Sequence, residues 1–488
     1  MLLLSFRRLL PRSSSPHSIV YKRMVQGVAI ENGCLLNRNP ATGDLLGRVR
    51  CTTLDELETL VAQAATAQPH WSRFPLEDRI NLLSSGLEAI ATQTEALTQS
   101  IVREMGKPLA EAAEEMQFAT QKQDYLQVLQ EALRPKQHGS CTVVRQPFGV
   151  VAVLSPWNFP VDEILLLTLP ALASGNSVVV KPSEVTPETG ATVVQALSSQ
   201  LPPGVLQLAQ GDGSVGAALV QHPSVQLICM TGSSATGRKI LASAAPHLKR
   251  LVLELGGKDP MVVLPDADVT QASHDAVAYS LSNAGQVCCS VEKVLVPTSL
   301  YDEFAAAVVE QAKSYRVGNG LDEGVQVGPL VSTTQRDHVA SQVQQAVEQG
   351  ATLLYQSALP AEAPEGSSFY PVTVLGNVSQ SMRVYTEETF GPVVSLIPYD
   401  GTEEVAIALA NDTEYGLAAS VYSSDAERAQ AVASQIQAGQ VGINCYSLEN
   451  LHPRCPWVGH KQSGFGYHSG EEGFHQFSVP KTIVSTSK

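Results

Sequence analysis

The stretch from residue 150 to residue 254 constrains the fold more than any other part of the chain. Short aliphatic runs at 150–154, 178–180, 205–209, 226–230 and 251–253 alternate with helix-period segments at 187–200, 214–221 and 235–244. Strands separated in this way become parallel neighbours, because a crossover segment must carry the chain back to the same end of the sheet. The spacing predicts an α/β fold built on a doubly wound, Rossmann-like sheet. Ligands of such sheets bind outside the carboxyl ends of the strands.

With 488 residues the chain exceeds what one hydrophobic core supports, so further units are expected. Residues 54–133 carry apolar side chains at helical spacing, with long amphipathic segments at 77–105 and 108–133, and 142–145 reads as a strand. Beyond residue 256 a second α/β unit is expected. Its helices are at 267–282, 300–314, 333–349 and 426–438, its strands at 291–296, 392–398 and 418–422, and 360–366 is a surface loop. A net charge of −15 argues against a nucleic-acid surface, which would need a basic face. No later segment is apolar for long enough to span a membrane. The eight cysteines have no Cys-x-x-Cys or Cys/His spacing, so no metal site is expected and the thiols read as reduced. Residues 1–24 hold Arg7, Arg8, Arg12, Lys22 and Arg23 with several serines and no acid, the pattern of an organellar presequence, mitochondrial in type. Met24 is an alternative start that would leave the protein cytosolic.

Three residues bear chemistry. Cys288 lies in Gly285-Gln286-Val287-Cys288-Cys289, Glu254 in Leu253-Glu254-Leu255-Gly256-Gly257-Lys258, and Asn158 in Pro156-Trp157-Asn158-Phe159-Pro160. A thiol nucleophile, an acid/base carboxylate and an amide N–H donor are the parts needed to make and break a bond to a carbonyl carbon. The turn Thr231-Gly232-Ser233-Ser234-Ala235-Thr236-Gly237 opens onto a helix N-terminus suited to phosphate. Lys181-Pro182-Ser183-Glu184, at another strand end, suits ribose hydroxyls. Taken singly, each has a plain alternative: buried core thiols, a helix-capping carboxylate, a tight turn, a solvated loop.

Together with Asn39-Pro40-Ala41-Thr42-Gly43 and Glu388-Thr389-Phe390-Gly391-Pro392, and in this order, the motifs closely resemble the aldehyde dehydrogenase family over nearly the whole chain. The resemblance implies an NAD-dependent oxidation of an aldehyde to a carboxylic acid, with NADP as the second cofactor. It implies Cys288 rather than Cys289 as nucleophile, Glu254 as general base and Asn158 as oxyanion donor. It sets Trp157, Lys181, Ser183, Glu184, Gly213, Gly232, Ser233, Gly237, Leu255, Glu388 and Phe390 around the cofactor. It also implies a dinucleotide domain (25–134 and 148–256), a catalytic domain (257–471) and a small β oligomerisation hairpin (135–147 and 472–488) in a homodimer or homotetramer. The chain departs from the family at Asp162 and Glu163, where apolar residues are usual, at Leu167 for lysine and at Lys293 for arginine. Glu449, His452 and Arg454 join Asp162 and Glu163 as charges near the expected tunnel, leaving cationic, anionic and neutral aldehydes open. Two other outcomes remain: acyl transfer to coenzyme A, and a catalytically silent relative that keeps the fold.

Overall fold

A computed structural model describes residues 28–364, 366–449 and 451–486. The basic leader at 1–24 lies outside them. The expected alternation folds into a sheet ordered Gly464–Phe465, Arg250–Glu254, Val225–Thr231, Val150–Leu154, Ser177–Lys181, Leu206–Leu208. Its last five strands are mutually parallel. Their side chains alternate between two cores: Val151, Val153, Val178 and Val180 pack on one face, and Val150, Ala152 and Val179 on the other. A sheet covered by helices on both faces has no polar side, which is why these strands read as unbroken apolar runs. The short strand Gly464–Phe465 comes from the segment assigned to the second unit, yet it pairs antiparallel with Leu253 and Glu254 on the first sheet's edge. Two residues are too few for a periodic signal.

The second sheet runs Thr352–Gln356, Thr373–Gly376, Val393–Tyr399, Val291–Pro297, Asp259–Val263, Ala418–Tyr422, Gln440–Ile443, parallel apart from its first pair. The third holds Lys136–His138, Cys141–Pro147 and the tail Ser478–Val484, which pairs with Cys141–Pro147 of its own chain. No helix among the described residues is long and apolar enough to cross a membrane.

Each of the two long helical segments expected before residue 134 is a pair of helices. The first divides into Leu76–Ala91 and Thr94–Met105. At that break the Thr92 and Thr94 hydroxyls donate to the carbonyls of Ala89 (2.7 Å) and Ala91 (2.8 Å), competing with the helical ladder. The second divides into Leu109–Thr120 and Gln123–Leu133, and Lys122 at that break forms an ion pair with Asp162 at 2.7 Å.

Candidate active site

In the first sheet the strand order turns back between Val150–Leu154 and Val225–Thr231. Such a reversal opens a crevice at the carboxyl ends of the strands. Trp157 and Asn158 follow the first of these strands, and Gly232 and Ser233 follow the second. Ser233 caps the helix Ser234–Ala244, its side chain accepting from the Thr236 N–H, so the free N–H groups of that helix face the crevice mouth. Gly237, in that helix, has no room for a β-carbon, which would meet the Leu255 side chain at 2.8 Å. Lys181 ends the neighbouring strand and pairs with Glu184 at 3.1 Å, with Ser183 accepting from the Val185 N–H. Gly213 begins the helix Gly213–Gln221 beside open space. Glu254 is the last residue of its strand. One edge of one sheet thus gathers most of the residues singled out in the sequence.

The Cys288 loop is delivered by the second unit. Asn283, Ala284 and Gly285 all have positive φ, of 49°, 56° and 72°. Left-handed backbone at a residue with a β-carbon is strained and persists only where the surroundings dictate it. Here the Asn283 N–H donates to Glu111 (2.8 Å), and a β-carbon on Gly285 would overlap the Gly391 carbonyl. The Asn158 amide donates to the Gln286 carbonyl at 3.1 Å, and the Asn283 amide donates to the Asn158 carbonyl at 3.2 Å. Asn158 is thereby tied directly to the loop carrying the thiol. A β-carbon on Gly257 would overlap the Cys288 carbonyl oxygen, so the Gly-Gly pair after Glu254 is what lets the two loops meet.

Half-buried Cys288 packs in an apolar cluster with Val287, Leu417, Trp457, Phe159, Tyr446 and Leu451. The Cys289 sulfur, burial and the charge of Glu254 hold its thiol well above the ordinary value. Cys289 itself is buried, with its sulfur 3.0 Å from the Tyr446 hydroxyl. Glu254 is buried, and neither carboxyl oxygen has a hydrogen-bond partner among the described residues. Burial first, and the charge of Glu163 second, push its carboxyl well above the usual range.

Glu388 and Phe390 arrive on a third segment. The Gly257 N–H donates to Glu388 at 3.0 Å, and a β-carbon on Gly256 would overlap the Glu388 carboxylate. Burial raises this carboxyl to about 8. Phe390 has φ 52° and stands edge-on to Trp157, with ring centroids 5.7 Å apart. Its strain is overdetermined by two residues not anticipated from the sequence. The buried Glu292 carboxylate, paired with Lys258 at 2.5 Å, accepts from the Thr389 and Phe390 N–H groups. The Gln335 amide donates to both carbonyls. The available signal was a Glu-Lys pair inside the otherwise apolar strand Val291–Pro297, since unpaired charges are almost never fully buried. Lys293 donates to the Leu409 and Asp412 carbonyls over the Tyr385 ring and takes no part in the site.

Most charges expected near the tunnel are engaged elsewhere. Arg454 pairs with Glu131 at 2.6 Å, Glu449 accepts from the Tyr279 hydroxyl, and the His452 ring accepts from the Arg454 N–H. Asp162 is held by Lys122. Glu163 accepts from the Thr231 hydroxyl at 2.8 Å, and Leu167 is wholly buried in the first unit's core.

A thiol, an amide and a buried carboxyl grouped at the mouth of a doubly wound sheet define an oxidoreductase of the dinucleotide-dependent, carbonyl-handling class. The aldehyde dehydrogenase family model matches residues 30–483, and the chain belongs to that family. A putative aldehyde dehydrogenase of Staphylococcus saprophyticus is 37% identical over 91% of this chain and 94% of its own length. The mitochondrial succinate-semialdehyde dehydrogenase of Arabidopsis thaliana is 36% identical, over 93% of this chain and 86% of its own. Among solved structures, aldehyde dehydrogenase C of Pseudomonas syringae, crystallised with NAD+ and octanal, superposes with a TM-score of 0.88 at 34% identity, covering 93% of this chain and 94% of that one. Similar proteins are bacterial as well as mitochondrial, so they lend the organellar address no support.

Proposed function

We propose that this enzyme oxidises an uncharged, apolar or aromatic aldehyde to the carboxylic acid, with NAD as cofactor. The observation that carries the reading is Cys288 set among Trp457, Phe159, Tyr446 and Leu451, while Arg454, Glu449 and Asp162 are bound to other residues. In this reading the Cys288 thiol first gives up its proton to solvent, the thiolate sulfur bonds to the aldehyde carbon, and the carbonyl π pair moves to the oxygen, which takes up the charge beside the Asn158 amide. Such a donor contributes about 3 kcal/mol to the transition state. NAD, when bound, supplies the acceptor for the hydride that leaves as the adduct becomes a thioester. Glu254 then takes a proton from water, the water oxygen bonds to the acyl carbon, and the carbon–sulfur bond breaks to release acid and the Cys288 thiolate.

The residues present suit the dinucleotide. The capped helix at Ser233 offers N–H groups to a pyrophosphate, and Lys181 with Glu184 offers partners to a ribose. The Glu388 carboxyl, admitted by Gly256, suits the second ribose, with Trp157 and Phe390 beside it. A carboxylate at Glu184 repels a 2′-phosphate, which favours NAD over NADP. This assigns the dinucleotide to residues 25–134 and 148–256 and the nucleophile to 257–471. One panel tests these points: kcat/KM for an aliphatic aldehyde, an aromatic aldehyde, succinic semialdehyde and betaine aldehyde, each with NAD and NADP. The neutral aldehydes with NAD should exceed both charged ones by about tenfold or more. A preference for either charged substrate, or for NADP, would refute the corresponding part.

The tail strand's outer edge exposes Val479, Ile483 and Val484. An open edge with apolar side chains is a template for pairing with another copy. A homodimer or homotetramer joined there is part of the same proposal, and a light-scattering mass equal to a single chain would refute it.

A further inference from the structure

The mechanism leaves one acidic side chain of the site unused. Glu163, on the first turn of the helix Asp162–Ala173, accepts from the Thr231 hydroxyl at 2.8 Å. Thr231 and Glu254 are register partners on adjacent parallel strands, so their side chains leave the sheet on the same face. Glu163 is thereby anchored next to the general base, whose own two oxygens have no hydrogen-bond partner among the described residues. The nearby cations are committed elsewhere: Lys122 to Asp162 at 2.7 Å and Lys107 to Glu115 at 2.6 Å.

We propose that Glu163, held on Thr231, is a positioning residue for deacylation that governs how readily Glu254 holds a proton. The inference rests on the base role given to Glu254 above. Two carboxyls set close together without a cation do not both ionise readily, so they titrate as a pair. Burial and Asp162 raise Glu163 to about 7, and its charge in turn helps to raise Glu254. The other groups facing the pair are Glu115, Lys122 and the Tyr125 hydroxyl around Glu163, and the Cys288 and Cys289 thiols around Glu254. Burial holds the His468 ring, which faces Asp162 and Lys122, down at about 4, so it stays neutral throughout the working range.

The sign follows directly. Above about pH 7 Glu163 carries its charge, and removing that charge lowers the Glu254 pKa, so more of the base is ionised there. In Glu163→Gln, which keeps the shape and an acceptor for Thr231, acid release from the acyl-enzyme at pH 8, where Glu163 is charged in the parent, should speed up by about tenfold, a shift of about one pH unit, while at pH 6 the two enzymes should agree within about twofold. The Kd for NAD, measured without aldehyde, should stay within about twofold, because Glu163 is not among the groups offered to the dinucleotide. Glu163→Asp, which restores the charge, should return the profile toward that of the parent. A Glu163→Gln profile superimposable on the parent, or an equal fall in rate at every pH, would overturn the inference. Failure of the underlying reading looks different: Glu254→Gln would then release acid at the parent rate.

Discussion

Cys288→Ala should lower aldehyde oxidation by about 10⁵-fold or more, the loss expected when a covalent nucleophile is deleted. Cys289→Ala should retain activity within about tenfold, despite standing next in sequence. Cys288 is half-buried in the cluster beside Asn158 and Glu254, whereas the Cys289 sulfur is buried against the Tyr446 hydroxyl. Deleting Cys289 leaves a small cavity, while the Tyr446 hydroxyl keeps its bond to the residue 289 carbonyl (3.1 Å), a cost of about 1–2 kcal/mol in stability rather than in chemistry. Steady-state rates and melting temperatures of the two variants check this. Equal loss of activity in both, with no change in stability, would overturn the assignment of the nucleophile.

In Glu254→Gln the expected result is an enzyme that acylates and then stalls. An amide cannot take the proton from water, so hydrolysis should slow by about 10²–10⁴-fold, the usual range for a general base. The variant mixed with aldehyde and NAD should release a burst of NADH and then accumulate an acyl adduct on Cys288, visible by intact-protein mass spectrometry. The burial that holds the Glu254 carboxyl well above its ordinary range also fixes the sign of the parent's pH dependence. At low pH the base carries its proton and the thioester persists, and hydrolysis quickens as pH rises through the raised pKa. No acyl accumulation together with an unchanged turnover rate would remove Glu254 from the reaction.

How much of this was legible depends on how local each determinant is. The five parallel strands of the first sheet announce themselves because central strands covered on both faces must be apolar throughout, as Val178, Val179 and Val180 are. Asn158, Glu254 and Cys288 stand out because each sits where a strand or loop ends beside glycine or proline. The break at Thr92–Thr94 was missed because hydroxyl-to-carbonyl competition hardly alters an apolar period. Glu292 was missed because its role, fixing the backbone of Thr389 and Phe390, lies in contacts about a hundred residues away.

The sequence by itself determined the class of fold and singled out the candidate reacting groups, since periodicity, glycine spacing and side-chain chemistry are properties of short segments. Only the tertiary structure decided which charges remain near the thiol. Arg454 is drawn off by Glu131 and Asp162 by Lys122, while Glu163 is turned toward the base by Thr231. Ion pairs and hydrogen bonds of this kind join residues from distant elements, and their partners are chosen by packing, which no local pattern records.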